Sequence, residues 1–211
     1  LKALLHREGK WYKKKNFLKA QPGTQNRYTN LNAALAAYLV EIASGMSFID
    51  FSQQFIFNPL NLKDTGWEVM ELDTTRLATR YFPAGNVVPP YRLNSYPDGG
   101  LYSSVSDMAH FLQEMIKAYR GESEYLPQSY AHLLFPGDTD DYRAFWGMNE
   151  TIRNIGHTGS DPGVETEVRF NADSHMGYVM FTNVNAEDND DLWTQYKALQ
   201  AIVVEQLQGK K

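Results

Sequence analysis

The chain has 211 residues, a formal net charge of −5 and no cysteine, with 43% apolar and 13% aromatic residues. That composition suits one good-sized globular domain or two small lobes sharing a core, and it excludes disorder, disulfides, thiol nucleophiles and cysteine metal sites. The one basic stretch, Lys13-Lys14-Lys15, reads as solvated surface, so no nucleic-acid partner is expected. No apolar run reaches the roughly eighteen residues of a membrane span.

Residues 1–27 read as irregular and end in the turn-like "QPGTQNR". The opening, Leu1 rather than Met, resembles the middle of a domain, so residues ahead of it are expected. In "NLNAALAAYLVEIASG", Leu31, Ala34, Leu35, Tyr38, Leu39 and Ile42 recur at helical spacing. Asn30 is its expected N-cap and Gly45 its C′ residue. A second helix is expected in "SFIDFSQQFIF", capped by Ser47, with Phe48, Phe51 and Phe55 on one face and Pro59 ending it. Residues 60–102 are rich in breakers.

"SSVSDMAHFLQEMIKAY" predicts a helix with a stripe of Val105, Met108, Ala109, Leu112, Met115 and Ile116, capped by Ser104 or Ser106. A short helix is expected at 127–134. The period then changes. "DYRAFWGMNE", "TIRNIGH", "GVETEVRFN" and "MGYVMFTNV" read as four strands of an antiparallel meander. "DNDDLWTQYKALQAIVVEQLQ" closes the chain as a long helix. Its acidic first turn suits the positive end of the helix dipole. Its apolar side would include Leu192, Tyr196, Leu199, Ile202, Val203 and Leu207. The expected division is 1–140, mainly helix and loop, and 141–211, strands and C-terminal helix.

Three stretches carry chemistry: "PGTQNRYTN", "PDGGLYSSVSDMAHFL" and "GHTGSDPG". Alone, the last reads as a hairpin turn with a solvated histidine. In this order the three resemble the serine β-lactamase and penicillin-binding protein superfamily, in its class C β-lactamase and DD-carboxypeptidase branch. Tyr28-Thr29-Asn30 is similar to that branch's Tyr-x-Asn motif, and His157-Thr158-Gly159 to its Lys/His-Thr-Gly motif. "NPLNLKDTGW" and the Gly-Gly turn before the third helix extend the likeness over nearly the whole chain. The resemblance implies an α+β, β-lactamase/transpeptidase-like fold: a helical region plus an antiparallel sheet covered by a C-terminal helix, with the N-terminal part of the fold missing.

It also implies roles. An acyl-transfer enzyme needs a serine nucleophile, a base for its proton and donors for the oxyanion. Tyr28 would be base or proton relay. A free tyrosine titrates near about 10, so it would need nearby cations. Asn30 would position the substrate amide. His157 would supply a proton donor or partial cation, with a charge that depends on pH near neutrality. Thr158 would bond a substrate carboxylate. Gly159 would let substrate backbone approach, and Ser160 would offer its backbone N–H to the oxyanion. The competing readings make Tyr28 a packed aromatic and Asn30 only a cap.

The superfamily's nucleophile motif is Ser-x-x-Lys. None of the serines here is followed three residues later by lysine. The expectation is a C-terminal portion of a β-lactamase, DD-peptidase or esterase, inactive alone, acting on a β-lactam, a D-Ala-D-Ala peptide or an ester. Its other expected partner is the missing N-terminal segment or a second copy of the chain. The alternative is a non-catalytic module that recognises a peptide or cell-wall ligand. No cofactor or metal is expected, since no HExxH or paired-His spacing appears. The family's habit suggests a periplasmic or cell-surface location; no export signal is visible in these residues.

Overall fold

The computed structural model describes residues 1–21, 23–25, 27–137, 142–149, 153–187 and 189–207. These form two compact units. One comprises Leu1–Asp73 with Pro90–Tyr102, and the other Thr74–Pro89 with Ser103–Lys211. Two helices expected to belong with the first region, 105–120 and 128–134, therefore fall in the same unit as the strands.

The first unit begins with a single helical turn, α1 (Lys2–Leu5), and then α2 (Leu31–Ser44). Gly45 closes α2 in the left-handed conformation, with φ 72°, where a residue without Cβ carries no steric cost. Asn30 does not cap α2. It is itself in helical conformation and its side chain makes no capping bond, because the helical turn already starts with Asn32 N–H donating to Thr29 O. The expected apolar face is only partly covered: Ala34 is buried, while Leu39 and Ile42 are exposed.

Ser47 caps α3 (Phe48–Ser52), accepting from Asp50 N–H. The helix then widens into a π turn, Gln53–Phe57. The extra residue per turn rotates the following side chains. As a result Phe57 is buried and Phe55 is turned outward. Phe48, Phe57 and Tyr96 cluster around Trp67, with ring centroids 5.4–6.4 Å from it. Burial, with Glu41 and Glu68 nearby, pushes the Tyr96 phenol up to about 12.

In the second unit, α4 (Val105–Arg120) is capped by Ser104, whose hydroxyl accepts from Asp107 N–H. It packs with α5 (Gln128–Leu134) on one face of a five-stranded sheet. The strands are β1 (Tyr142–Arg143), β2 (Trp146–Asn149), β3 (Asn154–Asp161), β4 (Val164–Asn171) and β5 (Gly177–Thr182), paired antiparallel in chain order. The meander is as expected, with two differences. "DYRAFWGMNE" is a tight hairpin rather than one strand, turning on Ala144 and Phe145 at φ 40° and 73°. Its ends, Asp141 and Glu150, lie outside the described residues, as do Thr151 and Ile152 of the next expected strand. The histidine stretch is not a turn: β3 runs through His157 to Asp161, and the turn is only Pro162-Gly163.

The core lies between the sheet and α4/α5. Ile155 and Phe170, cross-strand partners, are fully buried there with Leu112, Met115, Ala118 and Phe135. Tyr119, Phe135 and Phe170 meet edge-to-face at 5.3–5.7 Å, the arrangement aromatic quadrupoles favour. The opposite face meets α6 (Asp190–Leu207). Asp190 and Asp191 sit in its first turn, as expected. Tyr196 is buried against the sheet, whereas Leu199 and Ile202 are exposed; the Leu207 side chain is outside the described residues.

Candidate active site

In the first unit, Tyr28-Thr29-Asn30 is the last stretch of coil before α2. Tyr28 is 64% exposed, which overturns the packed-aromatic reading of it. In the second unit, all four residues His157, Thr158, Gly159 and Ser160 lie on β3. Each half of the candidate site is thus built inside its own unit.

Register decides what β3 can do. β2 pairs with β3 only from Asn149↔Asn154 to Gly147↔Gly156. Beyond Gly156, β3 has a partner strand only on the β4 side among the described residues, through His157↔Val168 to Asp161↔Val164. In an antiparallel strand, successive residues aim their N–H and C=O alternately at the two neighbours. Half of the backbone groups from His157 to Asp161 therefore point away from β4. Such an edge can pair with an extended ligand or offer N–H groups to an oxyanion.

The side chains alternate about this strand. His157 and Gly159 stand opposite Val168 and Thr166, on the face shared with Ile155 and Phe170. Thr158 and Ser160 stand opposite Glu167 and Glu165, on the face of α6. The His157 Nδ1–H donates to the Thr158 carbonyl at 2.5 Å. A Cβ on Gly159 would sit 2.6 Å from Thr166 Oγ1. This glycine thus lets the strand lie flat beside β4.

The Ser160 hydroxyl is engaged. It donates to Glu187 Oε2 at 2.9 Å, and Asn185 Nδ2 donates to it at 2.8 Å. Asn185 also reaches the Asp161 carbonyl at 3.2 Å, and its own Oδ1 accepts from Glu187 N–H at 2.8 Å. The loop between β5 and α6 thereby ties down the tip of β3. Asn185 and Glu187 did not stand out in the sequence. The only signal was the loop's "NVNAED" text, ordinary turn chemistry.

A second set was also missed. Glu165 and Glu167 lie in the alternating "VETEVRF", yet they are 3% and 0% exposed. Glu167 accepts from Gln200 at 2.5 Å, from Tyr196 at 3.4 Å and from Arg169. Glu165 Oε2 is buried without a hydrogen-bond partner among the described residues. Burial, then the Glu187 charge, raises its carboxyl above the usual range. Burial and Glu167 likewise push Tyr178 up to about 12 and raise Tyr196. Among the described residues, no group of three or more His, Cys, Asp or Glu is placed to hold a metal ion.

The fold agrees with comparison to known proteins. The model of the Beta-lactamase family matches residues 11–202, and the chain belongs to that family. Protein flp of Staphylococcus aureus (strain MW2) is 20% identical over 174 residues, 79% of this chain and 35% of that protein. A penicillin binding protein from Bacillus halodurans superposes with TM-score 0.63 at 23% identity, covering 86% of this chain and 58% of that one. The D-amino acid amidase of Ochrobactrum anthropi SV3, solved with D-phenylalanine, gives 0.66 at 18% identity, covering 83% and 60%. At these identities the likeness establishes the β-lactamase/transpeptidase-like fold. The chain spans about a third of the flp protein it matches.

Proposed function

We infer that these residues supply the Tyr-x-Asn and His-Thr-Gly parts of a serine hydrolase working through an acyl-enzyme. The nucleophile belongs to a Ser-x-x-Lys segment that is not among the 211 residues. The reading assigns Tyr28 as base or proton relay, Asn30 and Thr158 as substrate-positioning groups, His157 as proton donor, and the Ser160 N–H as oxyanion donor. The observation that carries it is that His157, Thr158, Gly159 and Ser160 follow one another on β3, directly after the last β2 pair at Gly147↔Gly156. The exposure of Tyr28 next to Asn30 supports it.

The substrate is an amide, lactam or ester: a β-lactam, a D-Ala-D-Ala peptide or a simple ester. The named relatives supply the classes, since one binds penicillin and another acts on D-amino acid amides. A location at the cell surface or in the periplasm would suit the peptide substrate. The exposed Leu199 and Ile202 on α6 suit coverage by a further segment or a second copy.

The test uses a polypeptide extended by a Ser-x-x-Lys segment. Tyr28→Phe is expected to slow acylation by penicillin or an activated ester by about 10²–10⁴-fold, the range of a lost general acid–base. An unchanged rate would remove Tyr28 from the reaction. A ligand bound tightly but never acylating would favour the non-catalytic module, which the missing Ser-x-x-Lys also suits.

A further inference from the structure

The charge of the chain is unevenly distributed. Residues 1–27 hold eight Lys and Arg against a single acid, Glu8, a net of +7 within a chain of −5. The remainder is therefore −12, and attraction to an anionic partner is local to this segment. The structure adds what the basic triplet alone did not show. Trp11, Phe17 and Leu18, which flank Lys13-Lys14-Lys15, are 54%, 41% and 50% exposed.

The segment is held in shape. Trp11 N–H donates to the Ala3 carbonyl at 2.9 Å, and Tyr12 N–H to Gly9 O at 3.0 Å. A 3-10 turn at Lys14–Asn16 displays the lysines. The Tyr12 and Phe17 rings pack at 5.5 Å. Lys10 lies over the Trp11 ring, 5.4 Å from its centroid. None of Lys10, Lys13, Lys14, Lys15 and Lys19 pairs with a carboxylate among the described residues.

We propose that residues 10–19 are a docking surface for an anionic lipid bilayer. The lysines meet the phosphate headgroups, and Trp11, Phe17 and Leu18 enter the boundary with the acyl chains. Charge selects an anionic partner; the exposed aromatic and leucine side chains select a bilayer over a nucleic acid or another soluble polyanion. No single helix among the described residues is long and apolar enough to cross a membrane, though the bent pair Leu31–Ser44 and Phe48–Phe57 passes by length and composition alone; the attachment proposed here uses the surface side chains of residues 10–19. It is independent of the catalytic reading.

The test is co-sedimentation of the 211-residue chain with vesicles at low ionic strength. Binding is expected to phosphatidylcholine mixed with phosphatidylglycerol, not to phosphatidylcholine alone, and should weaken with salt as the charges are screened. Each lysine near such a surface adds roughly fivefold to partitioning, so K13E/K14E/K15E should lower it by about a hundredfold or more. If circular dichroism shows that this variant is misfolded, the Lys→Gln triple replaces it. W11A/F17A, with every lysine kept, should also lose binding, and the blue shift of tryptophan fluorescence on vesicles should vanish in Trp11→Phe. Equal binding to both vesicle types overturns the proposal. So does retention on RNA or polyphosphate without vesicle binding, or a W11A/F17A variant that binds like the parent.

Discussion

The two faces of β4 differ in kind. Phe170 points to α4 and α5, in a layer of aromatic and aliphatic side chains. Glu165 and Glu167, five and three residues earlier, point to α6 and are buried as deeply. One face is held by the removal of apolar area from water. The other holds carboxylates that need partners, and only one of the two has a full set. The strand with the His-Thr-Gly motif shares both faces: His157 and Gly159 look toward the apolar layer and Thr158 and Ser160 toward the polar one. Shape is thus set on one side of the candidate site, and charge on the other.

The largest effect is expected on the apolar face. Phe170→Ala should cost about 3–5 kcal/mol, because the void is lined by rings that cannot collapse into it. Chemical denaturation measures it. Glu167→Ala should cost less, about 1–3 kcal/mol, through the donors of Gln200, Tyr196 and Arg169 left without an acceptor. If the two costs were equal, the faces would not differ as described.

Glu165 sharpens the contrast through pH. Its raised carboxyl keeps its proton in the folded chain at pH values where the unfolded chain has released it. Stability should therefore fall as pH rises from the ordinary carboxylate range through the raised value, and then level off. Glu165→Gln should remove that slope in a series of thermal melts. A slope that survives the substitution would place its origin elsewhere.

The smallest effect concerns the candidate site itself. Gly159→Ala should cost on the order of 1 kcal/mol, since the new methyl meets Thr166 Oγ1. Thr166→Ala should restore most of it, and a double-mutant cycle reads the coupling. Additive costs would show that the contact is not the reason for glycine.

Much of this was legible before the structure. Ser47, Ser104 and Gly45 announced helix ends through local chemistry, and the change from helical to alternating period located the meander. The order of the Tyr-x-Asn, Gly-Gly and His-Thr-Gly stretches pointed to the family. What escaped was set by tertiary packing. Ala144-Phe145 is not turn-like text, yet it makes the β1–β2 turn. The π turn after α3 swapped Phe57 for Phe55 in the core. "VETEVRF" reads as a strand with one wet face, because alternation cannot show that a helix 30 residues later will cover the glutamates. Ser160 stood out, but the Asn185 and Glu187 that hold it come from a distant loop.

The central proposal is that the reacting nucleophile belongs to a Ser-x-x-Lys segment that is not among these residues. The most direct measurement is the intact mass of the 211-residue polypeptide after incubation with penicillin and with an activated ester. The account predicts a single species at the unmodified 24.1 kDa. A species heavier by one acyl group would put a nucleophile inside this chain and contradict it.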